Sequence, residues 1–339
     1  MDILRTPITD ATAWKAADVQ ADDSWKYRLT ETDIAELDAA LQGVEARGLA
    51  SGQFGKEDFP LPGLAAKLED IDHQIREGRG FVLIKGFPVD DYSMDQVKAM
   101  YWGLGQYFGT VIPHNVKGDL MAPVVDQGLK ADDPNRRNNT TNNPLDPHTD
   151  LADVVTLLCM ESAAEGGMSG LASAVQIHNE ILANHPEYLE VLYRGFYHDF
   201  RGYGPTGDPN EVTATPIPVF EYHNGRVSMA FAKAIIERGA AKRGVPLTDL
   251  EQAAIDYVHE LALRDDMRAD MMLEKGDIQM INNYITIHSR TNYIDHEDGR
   301  KRYLLRMWIN QPGSVQLSEG FAALVRRGIP AQQKSEVSA

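Results

Sequence analysis

Pro147-His148-Thr149-Asp150 places an imidazole and a carboxylate two residues apart. On an extended chain such residues project to the same side, so the pair can chelate one divalent ion. Two histidines and one carboxylate on one face of a metal leave the opposite positions open, as in the facial triad of non-haem Fe(II) sites. The third ligand must come from far along the chain, and His288 is the candidate.

His-x-Asp/Glu occurs three more times, at His178/Glu180, His185/Glu187 and His296/Asp298. His178 and Glu180 fall in a helical pattern, where residues i and i+2 diverge and cannot grip one ion. His185-Pro186-Glu187 fits a helix start. His296-Glu-Asp298-Gly299 reads as a charged turn. Only His148-Thr-Asp150 runs straight into an apolar strand, Val154–Met160. Downstream of His288, Arg302 and Arg306 fall on one face of a strand containing Tyr303, Leu304, Leu305, Met307 and Trp308. An arginine set among apolar neighbours needs an anion, and its planar fork fits a carboxylate. That anion is either an Asp or Glu of the protein or a bound ligand.

The net charge of −17 argues against nucleic-acid partners and against an anionic membrane surface. It also requires any anionic substrate to be captured by a local cationic pocket. The single cysteine, Cys159, excludes an intrachain disulfide framework and reads as a buried thiol. The first residues lack a signal-peptide core and no apolar run reaches membrane-spanning length, so a cytoplasmic protein is expected.

The elements that must position these residues follow from pattern. Residues 1–30 read as an irregular arm packed through Trp14, Trp25 and Tyr27. Helices are expected over about 30–46, 64–77, 93–108, 176–195 and 248–263, three of them opened by capping boxes. Strands are expected over 79–88, 154–160, 171–175, 271–274, 276–282, 285–288 and 302–309, with a hairpin over 219–229 turning at Asn224-Gly225. The long polar segment 126–147 runs into His148 and reads as an active-site lid. Strands thus carry both candidate metal segments. The expected fold is mainly β with added helices, a jelly roll (double-stranded β-helix), which can bring 148 beside 288. Residues 1–79 would pack on a catalytic domain spanning 80–331, with a helical insertion at about 176–265, and 332–339 would be a loose tail.

The set formed by His148-Thr-Asp150, Gly166-Gly-Met-Ser169, Gly276-Asp-Ile-Gln-Met-Ile-Asn-Asn283, His288 and Arg302-x-x-x-Arg306 resembles the taurine dioxygenase/clavaminate synthase-like family. Gly80-Phe-Val-Leu-Ile-Lys-Gly-Phe-Pro88 and Leu104-Gly-Gln-Tyr-Phe-Gly109 fit it too, so the resemblance covers roughly residues 80–310. It implies an Fe(II)- and 2-oxoglutarate-dependent dioxygenase on a double-stranded β-helix. His148, Asp150 and His288 would be the iron ligands. Arg302 would bind the far carboxylate of 2-oxoglutarate, Ser169 would contact the same co-substrate, and Arg306 would hold an anionic group of the substrate or a co-substrate carboxylate. O2 would be consumed and succinate and CO2 released as a small-molecule substrate is oxidised. The carboxylate at Asp150 favours hydroxylation, or desaturation or epoxidation, over halogenation. Ser289–Lys301 is longer than in the taurine branch and closer to the clavaminate synthase branch, which argues against a sulfonate. Two other readings stay open: a cupin-like hydrolase or isomerase using the triad for Zn2+ or Mn2+, and a non-catalytic ligand-binding relative. Neither the substrate nor homo-oligomerisation is decided by these residues.

Overall fold

A computed structural model describes residues 2–128, 140–313, 317–329 and 331. The amino-terminal arm carries α1 (Ala16–Gln20) and β1 (Lys26–Arg28). It is pinned by Trp14 and Trp25, whose rings lie 5.2 and 5.4 Å from Phe81. In α2 (Glu31–Ala46) the Thr30 hydroxyl accepts from Asp33 N–H, and the Asp33 carboxylate returns the bond to Thr30 N–H. Then come α3 (Ala65–Glu77), β2 (Phe81–Lys85) and α4 (Met94–Gly105), the last capped by Ser93 and Gln96. Short strands β3 (Thr110–Ile112), β4 (Met121–Val124) and β5 (Leu145–His148) lead to the long β6 (Val154–Glu161), then β7 (Glu165–Gly166) and β8 (Ser169–Ser173).

A second lobe follows: α5 (Ala174–Asn184), α6 (Tyr188–Arg194), the hairpin β9 (Phe220–His223) and β10 (Arg226–Met229), α7 (Lys233–Arg243) and α8 (Asp249–Leu263). Asn224 and Gly225 both take positive φ, as a type I′ turn requires. The chain returns through β11 (Arg268–Met271), β12 (Ile278–Asn282), β13 (Thr286–Arg290), β14 (Tyr293–Ile294) and β15 (Tyr303–Asn310), and closes with α9 (Glu319–Val325).

Two sheets face each other. The larger runs β1-β2-β12-β6-β15-β3, with β4 also on β15; the smaller runs β11-β8-β13-β5. Alternation sorts the side chains of the larger sheet. Val82, Val154, Leu158, Met280, Leu305 and Met307 turn outward onto α2–α4. Phe81, Val155, Cys159, Ile281, Leu304 and Trp308 turn inward and meet Leu171 and Ala269 of the smaller sheet. A strand buried on both faces is mostly apolar, which is why β6 reads as a nearly continuous run broken only by the buried Thr156 and the terminal Glu161. Cys159 is fully buried there, and burial pushes its thiol up to about 12. On its other face the smaller sheet offers Ala172 and Ile287 to the second lobe.

Three expectations need correction. Among the described residues helices hold more of the chain than strands, so "mainly β" gives way to a two-sheet core clothed in helices. The segment expected to be irregular up to 147 is strand from 145, because β5 finds a partner in β13, which local pattern cannot show. Helix α7 escaped the pattern because only Ile236 and Gly239 of it are buried, too few for an apolar stripe. Of the expected lid, residues 129–139 lie outside the described residues.

Candidate metal centre

His148 ends β5 and His288 sits in β13, directly opposite each other in the antiparallel pair. Their ring centroids are 4.2 Å apart. Asp150 lies on the turn that follows β5. Its Oδ1 is 3.8 Å from His148 Nε2 and its Oδ2 is 3.8 Å from His288 Nε2. Both distances are too long for hydrogen bonds. One ligand atom from each of the three residues lies within 4.8 Å of the others, the only such group of three among the described residues.

The surroundings prepare each ligand. His148 Nδ1 donates to Asp146 O at 2.9 Å, since a carbonyl can only accept. That bond orients the ring and leaves Nε2 facing the cluster. Burial, aided by the neighbouring His148, pushes the His288 imidazole down to about 3, so this ring stays neutral above that value. Burial works to raise the Asp150 carboxyl, but Arg306, the two imidazoles and the Trp308 hydrogen bond together hold it below the usual carboxylate range. Trp308 Nε1 donates to Oδ2 at 3.1 Å and Arg306 Nη1 lies 3.7 Å from the same oxygen. The turn itself is held by side chains. Asn283 accepts from Asp150 N–H at 2.7 Å and donates to Asp150 O and Ala152 O at 2.8 and 2.9 Å. Thr149 Oγ1 accepts from Phe231 N–H at 2.9 Å. Two imidazole nitrogens and one carboxylate oxygen converging without bonding to one another suit a divalent ion.

The triad opens into a cavity of about 520 Å3, part of it open to solvent. Arg302, Leu304 and Arg306 alternate along one wall, so the two arginines share a face. Arg302 is 4% exposed, its Nη1 has no hydrogen-bond partner, and among the described residues no carboxylate pairs with it. Burial lowers its pKa. A buried guanidinium without its anion is unfavourable; since no carboxylate of the described residues forms an ion pair with Arg302, a bound anion fits. Arg306 keeps an unpartnered Nε. Ser169 also lines the cavity, and its hydroxyl is engaged with Gln279, whose Nε2 donates to it at 2.9 Å.

Sequence reasoning missed three groups here. Arg290, two residues after His288, lines the same cavity and donates from Nη2 to the carbonyls of Thr141 and Asn143. Its signal was the i+2 spacing from His288. Asn283 stood inside a quoted motif without a role. His114 is 2% exposed, has no partner on either ring nitrogen and lies edge-on to Trp308. The other His-x-Asp/Glu pairs go elsewhere. His178 bonds the Tyr193 hydroxyl inside the second lobe, His185 meets its own Glu187, and His296 bonds Ser162 O.

The profile of the family described as "Taurine catabolism dioxygenase TauD, TfdA family" matches residues 45–308. The chain is 32% identical to FR-33289 synthase of Streptomyces rubellomurinus, over 91% of this chain and 92% of that one. It is 26% identical to a taurine hydroxylase-like protein of Stachybotrys chartarum, over 90% and 80%. Among solved structures, asparagine oxygenase with Fe(II), hydroxyasparagine and succinate superposes with a TM-score of 0.65 at 16% identity, over 84% of this chain and 93% of that one. The oxygenase OrfP with Fe and α-ketoglutaric acid superposes at 0.63 and 15%, with the same coverage. These two likenesses establish the jelly-roll fold. With the family profile spanning most of the chain, the protein belongs to the TauD/TfdA dioxygenase family and is a 2-oxoglutarate-dependent dioxygenase that uses Fe(II) and O2.

Proposed function

We propose that His148, Asp150 and His288 hold one Fe(II), that Arg302 takes the far carboxylate of 2-oxoglutarate with Ser169 beside it, and that Arg306 faces an anionic group of a small-molecule substrate. The observation that carries this reading is three ligand atoms converging beside a buried guanidinium that, among the described residues, has no carboxylate paired with it. Fe(II) with 2-oxoglutarate and O2 supplies the oxidising power to break an unactivated C–H bond, with release of succinate and CO2. The chain supplies position. His148 and His288 offer ring nitrogens and Asp150 its carboxylate, which the Trp308 hydrogen bond to Oδ2 and the nearby Arg306 charge steady. Val155, Leu157 and Leu304 form an apolar wall that limits water at the reacting end. A hydrolase or isomerase would leave Arg302 without a use. The catalytic unit spans 80–331 with the arm and helices of 1–79 packed on its core, and the cytoplasm is the expected compartment; no helix of the described residues is long and apolar enough to cross a membrane.

The test is anaerobic reconstitution with Fe(II) and 2-oxoglutarate, followed by O2 and a panel of small anionic substrates, with succinate as the readout. Replacing His148, Asp150 or His288 by Ala should cost at least 10–100-fold in metal affinity or activity, roughly the cost known even for residues that only support a ligand. His296→Ala should retain both. Metal loss from His296→Ala but not from His148→Ala would sink the assignment.

A further inference from the structure

Asp153, three residues past Asp150, is 2% exposed. Its carboxylate accepts four hydrogen bonds: from Arg326 Nε and Nη2, both at 2.7 Å, from the Tyr284 hydroxyl at 3.0 Å and from Gln311 N–H at 2.7 Å. Arg326 Nη2 donates to Gln311 O as well, at 3.0 Å, and Arg326 O accepts from Asn310 Nδ2 at 2.9 Å. Gly328 N–H donates to Leu151 O at 3.0 Å, and Ile329 N–H to Pro113 O at 2.9 Å. Residues 326–329 therefore form a strap that crosses the end of β15, the turn bearing Asp150 and the connection after β3. Its root is α9, buried through Phe321 and Val325.

The turn needs such a device. β5 ends at His148 and β6 begins at Val154, so residues 149–153 have no sheet ladder to aim the carboxylate. Thr149 and Asn283 hold the near half; in the far half Asn283 also reaches Ala152 O and Asp153 O and Asn310 reaches Asp153 N–H, while the strap holds Leu151 O and the Asp153 carboxylate. Ligands must be kept within about 0.5 Å of their working positions by what surrounds them. The two-pronged bond from Arg326 fixes both distance and plane. We propose that Arg326 is a positioning residue for the metal centre, acting through Asp153, with Gly328 holding Leu151 in support. This rests on the triad assignment above.

Co(II) in place of Fe(II) gives a direct readout, because its visible absorption reports the ligand set without turnover. Arg326→Ala should weaken Co(II) binding by roughly tenfold or more and alter that spectrum, as loss of a group that orients a ligand does. Arg326→Lys, which keeps the charge without the planar fork, should recover part of the affinity. Gly328 has φ +59, and a Cβ there would meet Pro113 O at 2.5 Å. Gly328→Ala should therefore weaken Co(II) binding while the Arg326–Asp153 bridge stays. If Arg326→Ala does not fold, Arg326→Lys and Gly328→Ala carry the comparison by the same criteria. Variants that melt earlier yet bind Co(II) with parental affinity and spectrum overturn the proposal, leaving the strap a purely structural brace. Asp150→Ala is the control: unchanged Co(II) affinity there overturns the triad assignment, and this inference with it.

Discussion

Arg290 and Arg302 both lie over the ring of Tyr293, at 4.9 and 5.2 Å. Two buried guanidinium groups so close repel, and the Tyr293 ring face softens this. Arg290 spends its Nη2 on two backbone carbonyls, whereas Arg302 keeps Nη1 free of any partner. A bidentate arginine–carboxylate contact in a partly dry pocket contributes about 2–3 kcal/mol. Arg302→Lys should therefore raise the KM for 2-oxoglutarate by roughly tenfold to a few hundredfold, with metal affinity unchanged. Gly167→Ala should give the same signature, because its Cβ would lie 2.9 Å from Arg302 Nε. A parental KM in both variants would mean that the anchor is elsewhere. Arg302 and Arg306 were legible in the sequence because a charge inside an apolar strand stands out. Arg290 was not, because it follows His288 where the strand pairing slips and reads as the start of a loop.

At the scale of elements, the metal centre is one antiparallel pair, β5 on β13, plus a turn pinned from outside. Asn283 does much of the pinning, with three hydrogen bonds to the backbone of 150–152. Asn283→Ala leaves an N–H and two carbonyls without partners in a buried place, at about 1–3 kcal/mol for each group that water cannot reach. The melting temperature and the metal affinity should fall together; a variant that melts early with parental metal affinity would separate the two roles. The strands of the larger sheet were readable because burial on both faces writes a continuous apolar run, as in β6 and β15. The short β3, β4 and β5 were not. Pro123 interrupts β4 and Pro147 interrupts β5, β3 is only three residues long, and each depends on a partner more than a hundred residues away. Helices capped by Thr30, Ser93 and Thr248 were placed to within a few residues, since a capping box is a local signal.

Across the whole molecule, four buried or half-buried histidines are kept from protonating. His114 and His288 are pushed down to about 3, and His178 and His198 to about 4, each chiefly by burial. In the unfolded chain such rings protonate near pH 6.5. Between those values the unfolded state binds protons that the folded state refuses. Stability is thus fully present above about pH 6.5 and is lost as pH falls toward 4. Carboxylates held below their usual range, such as Asp150 and Asp199, add a loss of the same sign lower down. The urea midpoint of the metal-free protein should drop between pH 7.5 and pH 5, each ring contributing a loss of up to about 2 kcal/mol in stability. A flat profile over that interval would contradict the burial of these rings. The topology also sets a timetable. Neither β5 nor β6 has a sheet partner made before it; β12, β13 and β15 arrive more than a hundred residues later. A ribosome adds about 5–20 residues per second, so the apolar β6 waits on the order of ten seconds with both edges open. The second lobe, with its own core, can close during that wait. Chains stalled with residues up to about 270 outside the ribosome should therefore be cut by protease within 140–161 but resist within the lobe. Resistance in 140–161 should appear only once β15 has emerged.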